Sequence, residues 1–386
     1  MIVAGEASAD AHAGAMIREL RELKPGLEVF GVGGAALQAA GAELILDLSQ
    51  AGVVGITELL PELRNYYRAY RGLIERVKAE PLAGVILLDL PDFNLFLAKK
   101  IKRINPRTKI IYYISPQVWA WRPGRVKKIK SRADAMLVLF PFEVEIYQQA
   151  GMDVEFVGHP LKDAVKVGQD PKALRREFGL PEAGPVIALL PGSRKAEIKT
   201  YLPIMARFAE LLAGQSKNLS FVLALAPTLA QEEVGPFLDR AKDLIRIIPG
   251  RADEVIGAAD LAVVASGTIT LEAAIVGTPM IVLGAVSGLT YLLVKPLMAI
   301  SRYSLPNIIA GKEIVPELIQ RKVRPERVLA LAKDFLDNPE KMAQTRRELN
   351  KVRDALGPGG ASRRAATAIY KRLWSQDQKS KKFFKE

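Results

Sequence analysis

Pro191-Gly192-Ser193-Arg194 interrupts an apolar, strand-like run, and a helical pattern begins near Glu197. A glycine lets backbone approach a ligand closely, and Ser193 with the N–H groups of a helix start can meet phosphate oxygens. Arg194 adds a planar cation suited to a diphosphate. A second apolar run, 261–265, ends in Ser266-Gly267-Thr268, and the helix after it carries Glu272 in its first turn. Two strand–turn–helix ends in one half of the chain point to a nucleotide diphosphate held across neighbouring strand ends. Glu272 reads as a ribose partner, or as an acid complementing its own helix N-terminus. Asn307, after Leu305-Pro306, reads as a turn cap or as a group contacting base or phosphate.

The first half carries acids and aromatics at its own strand ends. Asp89 directly follows the run 85–88, so its carboxylate belongs at a sheet's C-terminal edge. Asp92 precedes an apolar helix and reads as its N-cap. Glu6, Ser8, Asp10 and His12 cluster where the first helix starts, as caps, as substrate contacts or as both. Trp119 and Trp121, with Arg122, form an aromatic loop that is either packed or the wall of an acceptor and its acyl chains. His159, before Pro160, is a linker residue or a site residue.

Composition narrows the chemistry. The 386 residues include no cysteine and two histidines, His12 and His159. Disulfides and thiolate metal sites are therefore excluded, and neither a histidine zinc site nor any other metal or cofactor is expected. No signal pattern is read, since Met1 leads into a strand and a glycine turn. The net charge of +13 is either a solvated basic surface or an attraction to anions. Cations crowd Arg122 to Arg132, and the tail sets Lys379, Lys381, Lys382 and Lys385 beside Phe383 and Phe384. Cations beside apolar aromatics suit an anionic membrane surface better than a nucleic-acid groove, and no nucleic-acid motif is present.

Positioning these groups takes two α/β halves. Strands are predicted at 1–4, 28–31, 85–89, 110–114, 135–138 and 155–157, then at 186–190, 220–224, 245–248, 261–264 and 280–283. Helices are predicted between them, among others at 12–23, 62–79, 93–104, 142–150 and 270–276, then at 325–336, 339–356 and 361–374. Apolar strands alternating with helices imply parallel sheets covered on both faces. The fold class is therefore two Rossmann-like parallel-sheet domains facing across a ligand cleft, at 1–160 and 161–356. A basic tail, 357–386, follows a glycine hinge at 357–360 and returns to the first domain. The apolar stretch 280–300 reads as completing a βαβ unit rather than spanning a membrane. Its helix at 289–299 is interfacial, acceptor-facing or simply core.

GEASAD (Gly5 to Asp10), DLPDFN (Asp89 to Asn94), SPQVWAWR (Ser115 to Arg122), FVGHPL (Phe156 to Leu161), LLPGSR (Leu189 to Arg194), ASGTITLE (Ala265 to Glu272) and SLPNIIAG (Ser304 to Gly311) together resemble the lipid-A-disaccharide synthase family, in the family's order and over nearly the whole chain. Ala9 stands where the family's motif has glycine. The resemblance implies a GT-B glycosyltransferase that is inverting, metal-independent and peripheral at the inner face of a Gram-negative inner membrane. It would move 2,3-diacylglucosamine from UDP-2,3-diacylglucosamine to the 6-hydroxyl of 2,3-diacylglucosamine 1-phosphate, giving UDP and the β-1′,6-linked disaccharide 1-phosphate. Those two substrates and the membrane are the expected partners, with a homodimer left open. Inversion requires a base for the acceptor hydroxyl, and Asp89 is placed first, Asp10 second and His159 third. The rivals are a UDP-sugar epimerase and a two-domain ligand-binding protein.

Overall fold

The computed structural model describes residues 1–47, 59–119, 124–216, 218–285 and 302–383. The chain forms two compact units, Met1–Pro160 joined by the segment from Leu356, and Leu161–Ala355.

In the first unit β1 (Ile2–Ala4), β2 (Phe30–Gly33), β3 (Glu43–Asp47), β4 (Val85–Leu88), β5 (Ile110–Tyr113), β6 (Ala135–Val138) and β7 (Asp153–Phe156) lie in the order β3-β2-β1-β4-β5-β6-β7. Every neighbouring pair is parallel, and Ala4 sits opposite Leu88 across β1 and β4. β1, β4, β5 and β6 are buried along their whole length, so their sequences are continuous apolar runs rather than alternating ones. β3 escaped the sequence reading because it is an edge strand, half-buried with exposed acidic ends.

The second unit holds β8 (Val186–Leu190), β9 (Ser220–Leu225), β10 (Ile245–Pro249), β11 (Leu261–Ala265), β12 (Met280–Gly284) and β13 (Glu317–Ile319), in the order β10-β9-β8-β11-β12-β13 and parallel throughout. β13 is three residues long, too short to register as a period in the sequence. Tyr201, Leu202, Met205 and Phe208 of the Lys195–Ala213 helix pack into the same core as Ile187 and Leu189 of β8. Each large apolar side chain buried in this way stabilises the unit by about 1.5–3 kcal/mol.

In both sheets the strand order reverses beside the first strand, between β1 and β4 and between β8 and β11. The connecting helices leave in opposite directions at such a point and open a crevice at the strands' C-terminal ends, where ligands bind.

The C-terminal helix, Ala361–Phe383, packs on the Ala7–Leu23 helix of the first unit. Arg363 meets Glu19 at 2.9 Å and Glu22 at 2.5 Å, and Arg372 meets Asp153 at 2.8 Å and Glu155 at 2.7 Å. Hydrogen bonds tie the glycine run at 357–360 to the first unit. Arg364 donates to the carbonyls of Gly359 (2.6 Å), Pro358 (2.7 Å) and Val157 (2.9 Å). Among the described residues no helix is long and apolar enough to cross a membrane. The expected helix at 289–299 lies outside the described residues, as do Phe384 and Lys385 of the tail.

Candidate functional site

In the second unit a cavity of about 440 Å³ opens at the ends of β8, β9 and β11. It is lined by Gly192, Ser193 and Arg194 after β8, Ala226 and Pro227 after β9, and Ser266, Gly267, Thr268 and Glu272 after β11. Gly192 has φ 112°, and a Cβ there would lie 2.3 Å from Glu197 Oε2, so only glycine fits this turn. Glu197 is the surprise of the site. Its Oε2 accepts the N–H groups of Ser193 (2.9 Å) and Arg194 (3.1 Å), the amides expected to meet phosphate. A carboxylate thus occupies an anion position at this helix start. The Arg194 guanidinium stays largely exposed, 3.9 Å from Glu197. Thr228 Oγ1 donates to Ser193 O and Thr270 Oγ1 to Gly267 O, each at 2.8 Å, which fixes both loops. Burial, and secondarily the Asp253 carboxylate, push the Glu272 carboxyl above its ordinary pKa.

Asn307 does not belong to this cavity's lining. It is fully buried, donates to Val315 O and Glu317 Oε1 (both 2.8 Å), and accepts from Ile314 N (2.7 Å) and Val315 N (3.0 Å). Its carboxamide has two donor hydrogens and two lone pairs, and all are used. It clamps the 304–317 turn, so the turn-cap alternative describes it and the base-reading one does not.

In the first unit Glu6 and Asp89 follow the neighbouring ends of β1 and β4. Burial pushes Asp89 above the usual carboxylate range, while the Leu90 N–H and Glu6 pull it back. Asp89 and Leu90 take φ of 50° and 39°. Asn94 Nδ2 donates to Leu88 O (2.9 Å) and Asp89 O (2.6 Å), and the Tyr112 hydroxyl donates to Asp89 O (2.5 Å). These bonds hold a backbone that side-chain-bearing residues otherwise avoid.

The other candidates take different roles. Asp10 caps the neighbouring Ala35–Ala39 helix, accepting from Gly34 N (2.8 Å), Ala36 N (2.9 Å) and Leu37 N (3.1 Å). With both oxygens so engaged it is a poor acceptor for a substrate proton. The helix of its own segment already begins at Ala7, with Glu6 at the N-cap and no side-chain cap bond. Ala9 is buried inside that helix, where alanine is favoured over glycine by about 0.5–1 kcal/mol. Ser8 is exposed. His159 is buried against Phe140, with ring centroids 5.3 Å apart. Burial, then His12, lower its pKa to about 3, which makes it a weak base. Asp92 is not an N-cap: Leu90 holds that position, and Asp92 binds Arg125 at 2.7 Å.

Trp119 is half-buried at the end of the loop after β5, and its indole N–H donates to Glu143 at 3.1 Å. Trp121 and Arg122 lie outside the described residues. Sequence reasoning passed over Tyr112, Asn94, Glu143 and Glu197 as site residues. The two glutamates stand three residues after helix N-caps, but those caps are Phe140 and Arg194 rather than the serine or threonine that marks a capping box in sequence. Tyr112 had no legible signal, being one aromatic residue in a buried strand.

Residues 1–370 match the sequence model of the family described as Lipid-A-disaccharide synthetase. The chain is 41% identical over 373 residues to the Lipid-A-disaccharide synthase of Geobacter metallireducens, covering 97% of each. It is 42% identical over 367 residues to that of Syntrophus aciditrophicus, covering 95% of each. In fold it is similar to the UDP-GlcNAc 2-epimerase of Neisseria meningitidis solved with UDP-GlcNAc bound, with a TM-score of 0.64 at 12% identity, covering 96% of this chain and 100% of the other. It is also similar to the kitacinnamycin glycotransferase, with a TM-score of 0.61 at 17% identity, covering 97% and 98%.

Proposed function

The chain belongs to the lipid-A-disaccharide synthetase family, and from that premise we propose how its residues divide the reaction. The enzyme is a glycosyltransferase of lipid A synthesis. It joins 2,3-diacylglucosamine from its UDP conjugate to 2,3-diacylglucosamine 1-phosphate, with UDP as the second product. The family match sets the epimerase reading aside, because the epimerase likeness is one of fold alone.

The cavity bordered by the ends of β8 and β11 takes the UDP. Arg194 meets the diphosphate, the Gly267–Thr268 turn supplies N–H donors at a helix start, and Glu272 takes the ribose hydroxyls. Phosphate oxygens then compete with the Glu197 carboxylate for the Ser193 and Arg194 amides. As the anomeric C–O bond breaks, negative charge grows on the leaving diphosphate. Arg194 and these amides are preorganised to stabilise it. The acceptor 6-hydroxyl oxygen attacks the anomeric carbon from the opposite side, inverting it, and its proton passes to Asp89. The observation that carries this assignment is the Asp89 carboxyl, raised by burial, on a backbone whose carbonyl Asn94 and Tyr112 hold at the switch point. Trp119 borders the acceptor.

We place the enzyme peripherally on an anionic membrane. Tyr67 and Phe96 are 61% and 60% exposed, on helices Leu59–Ala79 and Pro91–Ile104. Arg64, Arg68 and Arg71 share a helical face with Tyr67, and Lys99, Lys100 and Arg103 share one with Phe96. The rings of Tyr70 and Phe96 lie 5.2 Å apart, which joins the two faces. Aromatics among cations suit the headgroup region of a bilayer.

The test is to incubate the purified protein with both lipid substrates and analyse the products by mass spectrometry. UDP and disaccharide 1-phosphate in equal amounts are expected. UDP-sugar isomerised at the sugar, with no disaccharide, would overturn the reading.

A further inference from the structure

The Pro141–Gln149 helix carries a carboxylate that the reaction scheme leaves unused. Glu143 is only 2% exposed. Its Oε2 accepts the Phe140 N–H at 3.2 Å, and its Oε1 accepts the Trp119 indole N–H at 3.1 Å. A helix-capping acid normally sits in solvent, and burying one is costly unless its lone pairs are taken. Here burial pushes its pKa up to about 7.

One helical turn further on, Tyr147 is fully buried, and its hydroxyl lies 2.8 Å from Ser115 Oγ. Residues four apart share a helix face, so one face grips the loop after β5 at two points, Ser115 and Trp119. Phe142 closes the box. Its ring meets the Trp119 indole edge-on at 5.5 Å and stacks on Phe140 at 5.5 Å.

We propose that Glu143 is a positioning residue of the acceptor side. It fixes the Trp119 indole, and with Tyr147 the whole 115–119 loop, in the orientation that receives the acylated acceptor sugar. This rests on the reading of Trp119 as an acceptor-side residue, and the experiment separates the two.

The full-length enzyme is assayed with the acceptor varied at saturating donor, in four variants: Trp119→Ala, Trp119→Phe, Glu143→Ala and the Trp119→Phe/Glu143→Ala double. Trp119→Phe keeps an aromatic ring but deletes the donor together with the five-membered ring, so the double variant, not this single one, isolates the bond. The single variant probes the same bond without touching the helix cap, should Glu143→Ala fail to fold. Losing a charge-assisted bond predicts an acceptor KM raised about tenfold in Trp119→Phe and in Glu143→Ala. UDP affinity should stay within about twofold, and the double variant should be no worse than the more affected single one, because both remove one interaction. If Trp119→Ala leaves the acceptor KM at its wild-type value, the acceptor reading fails and the inference with it. If Trp119→Ala raises it but Trp119→Phe does not, the reading stands and the inference is overturned. Additive effects in the double variant would likewise overturn it.

Discussion

Asp89 and Leu90 adopt left-handed φ of 50° and 39° at the end of β4, and Ile114 adopts 69° at the end of β5. Such conformations cost about 1–3 kcal/mol each and persist where surrounding bonds hold them. Here the holders are Asn94 and Tyr112, both bonded to Asp89 O. The same neighbourhood contains the buried Glu143. Burial raises its pKa in the folded state to about 7 from the ordinary 4.5. A carboxyl raised on folding contributes stability that is fully present below its unfolded pKa and is lost as pH rises through its folded pKa. Denaturant unfolding should therefore show the wild type losing stability between about pH 4.5 and 7, by up to a few kcal/mol at about 1.4 kcal/mol per pKa unit. Glu143→Gln should show a flatter profile over that window. Parallel profiles would mean that Glu143 is charged at no extra cost.

At the scale of elements, the short Ala35–Ala39 helix depends on Asp10, whose carboxylate takes three of its N-terminal N–H groups. Asp10→Ala should lower stability by about 1–2 kcal/mol, read as a Tm drop of several degrees, with UDP affinity unchanged. A normal Tm with lost turnover would return Asp10 to the chemistry. The central strands and their helices were legible because buried parallel strands are continuous apolar runs. β3 and β13 were not, one being a half-buried edge and the other three residues long. The loops 192–194 and 266–268 were legible from glycine and hydroxyl residues after such runs. The uses of Asp10, Asn307 and Glu197 were not, because a side chain's hydrogen-bond partner lies outside its local sequence. Asp10 bonds residues 24 to 27 positions away.

At the scale of the molecule, six of the cations that contribute to the charge of +13 lie on two helices that also expose aromatic rings. The paired faces around Tyr67 and Phe96 combine cations and exposed rings. Binding to anionic liposomes should be strong at low salt and weaken at high salt, as screening shortens electrostatic reach. Tyr67→Ser with Phe96→Ser should reduce flotation at both salt concentrations, since each removes apolar area rather than charge. Unchanged flotation of the double variant would place membrane contact elsewhere.

In the proposed division of labour the second unit holds UDP and the first takes the proton, so the two functions can be lost separately. Single-turnover kinetics with parallel calorimetric UDP binding test this most directly. Asp89→Asn keeps the shape of the side chain and removes the base, so turnover should fall about 10²–10⁴-fold while UDP affinity is little changed. Arg194→Ala, in the same experiment, should weaken UDP binding roughly ten- to a hundredfold. An Asp89→Asn enzyme that keeps more than about a tenth of wild-type turnover, well above the range expected for a lost base, or that loses UDP affinity in step with turnover, would contradict the account.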